Sequence, residues 1–299
     1  MRVEEFHLTI VGNQIVVSLD SILFATDFSP SAETARLYVR ALAARYQSQV
    51  RLMHVVDLGA AFKVPDAGLS IDIFCRSGEE SLARLGSELT SKKIRVETIL
   101  CEGTDPATQI LQAARERSTD LLVIGTRGHK GLARLVLGST AEELIHQARC
   151  PILAIGPSVP VPKQPINFQR IVYATDFSPE AAKACVFALS FAQDFGAHLY
   201  LCHVLPEGNH QMNDQELNDR FTSALRNLVP DVAREWCEPE CVLEHGVAAD
   251  GILLLAQRLK ADLIVLGTRK TSHWFDNFKT GVAFQVISSS TCPVLTIRE

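Results

Sequence analysis

A long internal repeat constrains this chain more than any other feature. Phe24-Ala-Thr-Asp-Phe-Ser-Pro30 returns as Tyr173-Ala-Thr-Asp-Phe-Ser-Pro179, and Met53-His-Val-Val56 returns as Cys202-His-Val-Leu205, both 149 positions on. Leu122-Val-Ile-Gly-Thr-Arg127 returns as Ile264-Val-Leu-Gly-Thr-Arg269, and Cys150-Pro-Ile-Leu153 as Cys292-Pro-Val-Leu295, now 142 positions on. The second copy is therefore seven residues shorter between its second strand and its glycine-bearing stretch. Two long repeats mean duplicated domains, not a solenoid of short units.

Within each copy, apolar runs alternate with helix-like segments. Ser21 to Thr26 is rich in β-formers, and Asp27-Phe-Ser-Pro30 is a turn that starts a helix, with Ser29 as N-cap, Pro30 at the first helical position and Glu33 in the first turn. Ala35, Leu37, Tyr38, Ala41, Leu42 and Ala44 give an apolar stripe that carries this helix to about residue 46. Strands follow at 49–56, 94–101, 121–125 and 152–155, with helices at 77–92, 105–117 and from 139. The second copy predicts strands at 169–174, 197–204, 239–244, 262–267 and 293–297, and helices at 179–195, 214–229, 247–259 and 280–288. This order predicts an α/β protein of two tandem, doubly wound parallel sheets with helices on both faces.

The domain boundaries follow. Residues 1–20 form an N-terminal extension, 21–156 the first domain, 157–165 a linker and 166–299 the second domain. Pro157, Pro160, Pro162 and Pro165 make the linker extended and stiff. In the extension, His7-Leu-Thr-Ile-Val11 and Gln14-Ile-Val-Val-Ser18 flank Gly12-Asn13, a hairpin signal. Whether that hairpin extends a sheet edge or reaches a partner subunit is open at this point.

Charge and composition exclude several classes. A formal net charge of −5 over 299 residues gives no basic field to recruit nucleic acid. No apolar run reaches the roughly 18 residues of a membrane span, and the start lacks the basic-then-apolar order of a secretory leader. The expectation is a cytoplasmic protein that engages neither nucleic acid nor membrane. The eight cysteines lie in apolar segments, as small hydrophobes do in cytosolic domains. Cys237, Cys241 and His245 approach ligand spacing, but no second ligand pair follows, so no metal is expected. There is no Gly-x4-Gly-Lys-Ser/Thr loop, no Gly-x-Gly-x-x-Gly after the first strand and no Gly-x-Ser-x-Gly elbow, which argues against P-loop enzymes, dinucleotide oxidoreductases and α/β-hydrolases. No base is placed to activate water, and no catalytic residue is assigned.

The stretch from Gly125 to Ser139 carries the functional signal. It reads Gly-Thr-Arg-Gly-His-Lys-Gly-Leu-Ala-Arg-Leu-Val-Leu-Gly-Ser, between an apolar strand and a helix that opens near Gly138-Ser139. Glycines let backbone approach a ligand, and a helix start offers unpaired N–H groups at the positive end of a dipole. Arg127, His129, Lys130 and Arg134 stand beside that helix start. The pattern predicts a phosphate site.

Taken in order, strand–Asp-Phe-Ser-Pro–helix, His-Val-Val at the second strand, then Gly-x2-Gly-x9-Gly-Ser before a last short helix and strand, the chain resembles the universal stress protein family. The resemblance covers essentially everything after residue 20, in two tandem copies. It implies Rossmann-like domains of the adenine nucleotide alpha hydrolase type, packed as a pseudo-dimer with residues 152–155 and 294–297 paired edge to edge. It also implies ATP binding, as in the ATP-binding branch of the family. Carried over position by position, Ala25 and Thr26 flank the adenine side, and Asp27 matches the acidic residue near the nucleotide. Val55 matches the residue whose backbone meets the base. Gly125, Arg127 and Gly128 match the loop over ribose and phosphates, and Gly138, Ser139 and Thr140 the helix start that holds them. His54 and His203 read as packed or hydrogen-bonded rather than catalytic.

The second copy departs from this pattern. Asp176, Val204 and Gly267-Thr268-Arg269 remain, but Lys270 stands at the Gly128 position, Thr280 at that of Gly138 and Gly281 at that of Ser139. The loop 271–279 between them is bulky and contains Trp274 and Phe275, so this copy is expected to be degenerate for ATP. The expected function is a stress-response sensor or interaction module that binds ATP, with or without Mg2+, in its first domain, and that forms a homodimer or contacts other proteins. Two alternatives stand beside it: a slow ATPase or a protein that phosphorylates itself on a hydroxyl such as that of Ser139 or Thr140, and a non-nucleotide interaction protein with vestigial pockets.

Overall fold

Ile22, Leu23, Phe24 and Ala25 are buried one after another, as are Leu121 to Ile124, Ile171 to Ala174 and Leu263 to Leu266. Consecutive rather than alternating burial means that both faces of these strands are covered. The computed structural model describes residues 8–11, 14–61, 67–126, 137–207, 214–235, 237–268 and 281–298. In chain order the elements to the linker are β1 (Leu8–Val11), β2 (Gln14–Val17), β3 (Ser21–Ala25), α1 (Pro30–Tyr46), β4 (Gln49–Asp57), α2 (Leu58–Ala61), α3 (Ala67–Ser91), β5 (Arg95–Gly103), α4 (Pro106–Glu116), β6 (Leu121–Gly125), α5 (Ser139–Gln147) and β7 (Ile152–Ile155). After the linker come β8 (Arg170–Ala174), α6 (Pro179–Phe195), β9 (His198–Leu205), α7 (Asp214–Asn227), α8 (Asp231–Arg234), β10 (Glu240–His245), α9 (Ala248–Leu259), β11 (Leu263–Thr268), α10 (Val282–Ser289) and β12 (Val294–Arg298).

The chain divides into two units, one of residues 19–166 and one of residues 1–18 with 167–299. The first unit holds a parallel sheet ordered β7-β6-β3-β4-β5, with Ala25 level with Met53 on one side and Ile124 on the other. The second holds a parallel sheet ordered β12-β11-β8-β9-β10, with Ala174 level with Cys202 and Leu266. In each, the first strand of the repeat lies at the centre and its helix leads to one neighbour while the glycine-ended strand lies on the other side. That arrangement creates a crevice at the carboxyl ends of the central strands, where open α/β sheets receive ligands.

The local signals explain the helix starts. Ser29 caps α1, its Oγ accepting from Ala32 N–H at 3.4 Å, with Pro30 in the first turn and Gln47 closing the helix in the left-handed conformation. Ser178, Pro179 and Gly196 do the same for α6. Three differences from the sequence expectations have physical causes. Helix α3 begins at Ala67, not 77, because Leu69-Ser-Ile-Asp-Ile73 alternates with a period of two and disguises a helix. The short α2 and α8 span four residues each, too few to carry a periodic signal. Helix α10 starts at Val282 rather than at 280, because Gly281, a poor helix former, serves as its N-cap.

The extension does form an antiparallel hairpin, β1 with β2, although Gly12 and Asn13 themselves lie outside the described residues. It docks on α6: Ile15 N–H donates to Gln193 Oε1 and Val17 N–H to Ser190 Oγ, each at 3.1 Å. The N-terminal segment thus completes the unit built from the second copy. Among the described residues no helix is long and apolar enough to cross a membrane.

Candidate functional site

The Thr-Asp-Phe-Ser turn after β3 is locked by its own side chains. Thr26 Oγ1 accepts from Phe28 N–H at 3.0 Å, and Asp27 Oδ1 accepts from Ser29 N–H at 3.0 Å. Phe28 pays for this with a φ of 57°, a left-handed angle unusual for a bulky residue. Two longer-range contacts hold it there. His54 Nδ1 lies 2.8 Å from the Thr26 carbonyl, and the His54 ring packs on Phe28 with centroids 4.7 Å apart. A carbonyl oxygen only accepts, so Nδ1 carries the proton. His54 is therefore the post against which the turn is set, and Asp27 stands exposed on that turn.

Val55 enters through its backbone. Thr26 N–H donates to the Met53 carbonyl at 2.9 Å, so Met53 faces β3. Main-chain groups alternate along a strand. Val55 then points its N–H and C=O to the same side, beyond the point where β3 has left the sheet.

On the other flank, Gly125 ends β6 against the start of α1. A Cβ at Gly125 would stand 2.5 Å from Ala32 N and 2.7 Å from the Ser31 carbonyl carbon. Gly125 was expected to admit a ligand; its immediate neighbour in the fold is helix backbone. Thr126 then donates its N–H to the Ile155 carbonyl at 3.0 Å, and Gly138 N–H donates to the Thr126 carbonyl at 2.9 Å. That last bond seats the start of α5 beside the end of β6. Gly138 is the N-cap of α5, and among the described residues no side chain caps that end for the first-turn N–H groups of Ser139 and Thr140. Ala25, Thr26, Asp27, Val55, Gly125, Gly138, Ser139 and Thr140 thus belong to strand ends and a helix start at one end of one sheet. Arg127 and Gly128 lie outside the described residues, as do His129, Lys130 and Arg134.

The second unit reproduces the turn almost atom for atom. Thr175 Oγ1 accepts from Phe177 N–H at 2.9 Å, Asp176 Oδ1 from Ser178 N–H at 3.0 Å, and the Thr175 carbonyl from His203 Nδ1 at 2.8 Å. Phe177 again has a left-handed φ, 62°, and packs on His203 at 4.8 Å. Phe221 of α7 stacks on the same imidazole at 4.8 Å, whereas α3 brings Gly78 to His54. Here the crevice is a cleft of about 130 Å³, lined among others by Thr175, Asp176, His203, Val204, Gly267 and Val282. Ala174, Thr175, Asp176, Val204, Gly267 and Val282, which stand at the positions of Ala25, Thr26, Asp27, Val55, Gly125 and Thr140, line this cleft. Lys270, Thr280 and the loop with Trp274 and Phe275 lie outside the described residues. Cys202, at the cleft floor, has its thiol pushed up to about 12 by burial, so it is a neutral wall atom and not a nucleophile at neutral pH. Among the described residues no cluster of three His, Cys, Asp or Glu is placed to hold a metal.

His54 and His203 are packed and hydrogen-bonded, as expected; the left-handed phenylalanine that each supports was not foreseen. The signal was present: Asp-Phe-Ser-Pro and His-Val occur in both copies at one common offset.

Comparison with known proteins agrees with this architecture. The model of the universal stress protein family matches residues 19–156 and again 167–298. Universal stress protein MJ0531 of Methanocaldococcus jannaschii is 31% identical over 137 residues, covering 45% of this chain and 80% of its own length. A universal stress protein of Mycolicibacterium smegmatis is 24% identical over 296 residues, covering 93% of this chain and 96% of its own. The crystal structure of a universal stress protein from Archaeoglobus fulgidus superposes with a TM-score of 0.74 at 21% identity, covering 94% of this chain and 98% of that one.

Proposed function

The chain belongs to the universal stress protein family in both of its copies, and on that premise we propose that its first unit binds an adenine nucleotide and acts as a nucleotide-dependent sensor or interaction module. The observation that carries the proposal is the start of α5. It is a helix N-terminus with a glycine N-cap, a Ser-Thr pair in its first turn and, among the described residues, no capping side chain, seated at the end of β6 by the Gly138–Thr126 bond. Such an end attracts anions through N–H donors and the helix dipole. The ligand proposed is ATP, with or without Mg2+. Its base would meet the Val55 main-chain edge, its ribose and phosphates the stretch containing Gly125, Arg127 and Gly128, and its phosphates the Gly138, Ser139 and Thr140 start. Ala25, Thr26 and Asp27 would border the base and sugar, held in place by His54. The proposal includes a cytoplasmic setting and occupancy read out through a homodimer or other protein contacts.

The test begins with the protein purified without added nucleotide. It is denatured, and the released small molecules are separated by anion exchange with mass detection. ATP or ADP released at about one per chain, or saturable Mg-ATP binding in titration that Gly128→Lys abolishes, supports the proposal. No release together with no heat on titration refutes it. Bound ATP that turns into ADP in a manner Asp27→Ala abolishes would move the reading to a slow ATPase.

A further inference from the structure

We propose that the outer edge of β5 is a self-association surface, on which a second copy of the chain adds its own β5 antiparallel and continues the sheet of the first unit. This gives a place to the homodimer of the preceding proposal, but it does not depend on nucleotide binding.

Three observations carry it. First, the edge presents main-chain groups to an incoming strand. β5 ends the sheet of its unit and is level with β4 over all nine of its residues, from Gln49 with Arg95 to Asp57 with Gly103. Thr26 N–H donates to the Met53 carbonyl and Gln49 N–H to the Asp20 carbonyl, so the odd-numbered residues of β4 face β3 and the even-numbered ones face β5. In a parallel ladder a residue that faces its neighbour bonds to the two residues flanking its level partner. Leu52, level with Thr98, therefore engages Glu97 and Ile99. Val96, Thr98, Leu100 and Glu102 turn their N–H and C=O groups away from the sheet, and among the described residues none of these groups has a main-chain partner. Second, the devices that protect an edge are missing. β5 has no proline, runs in unbroken register, and buries none of its residues. Its charged side chains are engaged within the unit: Glu97 with Arg51 and Arg117, Arg95 with the Gln47 carbonyl, and Glu102 with Cys75. An edge of this kind templates a further strand.

Third, the space beside the edge fits a second α3. Helix α3 lies over both β5 and β4, since a Cβ at Gly86 would meet Thr98 Cγ2 at 3.4 Å, Val96 Cγ1 at 3.7 Å and Leu52 Cδ1 at 3.9 Å. Its outer flank and the strand edge border a groove of about 550 Å³, lined among others by Ala83, Gly86, Ser87, Thr90, Val96 and Thr98. With its axis between the two strands, α3 stands roughly 2.4 Å inside β5, half a strand spacing. Two copies joined at the full spacing of about 4.8 Å then hold their α3 axes roughly 10 Å apart, a distance at which helices pack. A twofold axis through Thr98 pairs Thr98 with itself and Val96 with Leu100 of the second copy. The helices then run antiparallel about Gly86, which brings exposed Glu79 and Glu80 opposite exposed Lys92 and Lys93 of the second copy. Opposite charges on both sides of the axis select a second copy over an unrelated strand.

The test is sedimentation velocity of the full-length chain over a concentration series, with amide exchange measured alongside. An association step is expected, and as it fills, the amides of Val96, Thr98 and Leu100 should exchange at least about tenfold more slowly. Thr98→Pro removes an outward N–H that β5 does not use in its own ladder, and should weaken the step at least about tenfold. Glu80→Lys, at an exposed position, should weaken it too. Adding Lys92→Glu and Lys93→Glu to that variant should restore it, a rescue that damage to folding cannot give. Circular dichroism checks that each variant is folded. A chain that stays monomeric through millimolar concentrations overturns the inference. So does an association that either Thr98→Pro or Glu80→Lys leaves unaltered in a folded protein. If a monomeric chain slows exchange at Val96, Thr98 and Leu100 on adding an extended peptide rich in valine and threonine, the edge serves a foreign strand and the second copy is ruled out. Nucleotide binding is read separately by titration. Its failure in the unmodified chain leaves this inference standing, and failure of the association leaves the nucleotide reading untouched.

Discussion

Replacing Gly125 with alanine tests the site's framework at one atom. The added Cβ would lie 2.5 Å from Ala32 N and 2.7 Å from the Ser31 carbonyl carbon, both main-chain atoms in the first turn of α1. Neither can swing aside as a side-chain tip would. Restoring an ordinary separation of about 3.5 Å requires the helix start and the strand end to part by roughly 1 Å. Overpacking of this kind costs typically about 1–3 kcal/mol, and an encounter with backbone belongs at the upper end, near 3 kcal/mol. The assay is urea unfolding followed by far-UV circular dichroism. With a denaturant slope of roughly 2 kcal/mol per molar, the midpoint should fall by about 1.5 M. Gly103→Ala is the matched control, since its Cβ would meet only the flexible Gln109 side chain at 3.1 Å. That variant should stay within about 0.5 kcal/mol of the parent. Gly267→Ala meets the Ala181 backbone nitrogen at 2.5 Å and should behave like Gly125→Ala. If Gly125→Ala and Gly103→Ala unfold at the same urea concentration, the close approach does not govern this position and the argument is wrong.

Three further outcomes are expected. His54→Ala removes the donor to the Thr26 carbonyl and the ring beneath Phe28. It should cost about 1–3 kcal/mol in urea unfolding and weaken ATP binding measured by titration; an unchanged affinity would show that the turn holds without its post. Gly86→Ala lies inside α3, and its Cβ would meet Thr98 Cγ2 at an ordinary 3.4 Å, so the variant should gain about 0.5–1 kcal/mol, and a lower melting point would contradict this. Burial pushes the Cys150 and Cys202 thiols from 9.0 up to about 12. The folded state thus holds these protons more tightly than the unfolded chain. Their contribution is complete below pH 9 and is lost as pH rises toward 12, by roughly 1.4 kcal/mol per pH unit for each thiol. A urea midpoint that stays level from pH 8.5 to 10.5, or one whose fall Cys150→Ala and Cys202→Ala leave unaltered, would refute it.

How legible the molecule was depended on the range of the interaction involved. Ser29 and Pro30 announced the start of α1 because a cap and its helix are neighbours in sequence. The consecutive apolar residues of β3 and β6 announced strands covered on both faces. The start of α3 was hidden because Leu69-Ser-Ile-Asp-Ile73 alternates with the period of a strand; in the fold Ile73 and Phe74 are exposed. At the common offset of 142, Thr280 stands at the Gly138 position, yet α10 is one residue shorter than α5 and takes Gly281 as its cap.

By itself the sequence determined the duplication, the α/β class and the order of the strands and longer helices, since these rest on local periodicity and on motifs repeated at constant spacing; the family entered through the resemblance of those motifs. Only the tertiary structure decided that His54 supports the turn of Thr26, that Gly125 is small to admit the backbone of α1, and that residues 8–17 complete the second unit through Gln193 and Ser190. It also decided that the altered second copy keeps a cleft with an apolar lip at Val282. Each of these joins residues distant in the chain, and the energy of such a contact depends on which atoms the fold brings within a few ångströms, a quantity that periodicity and spacing do not encode.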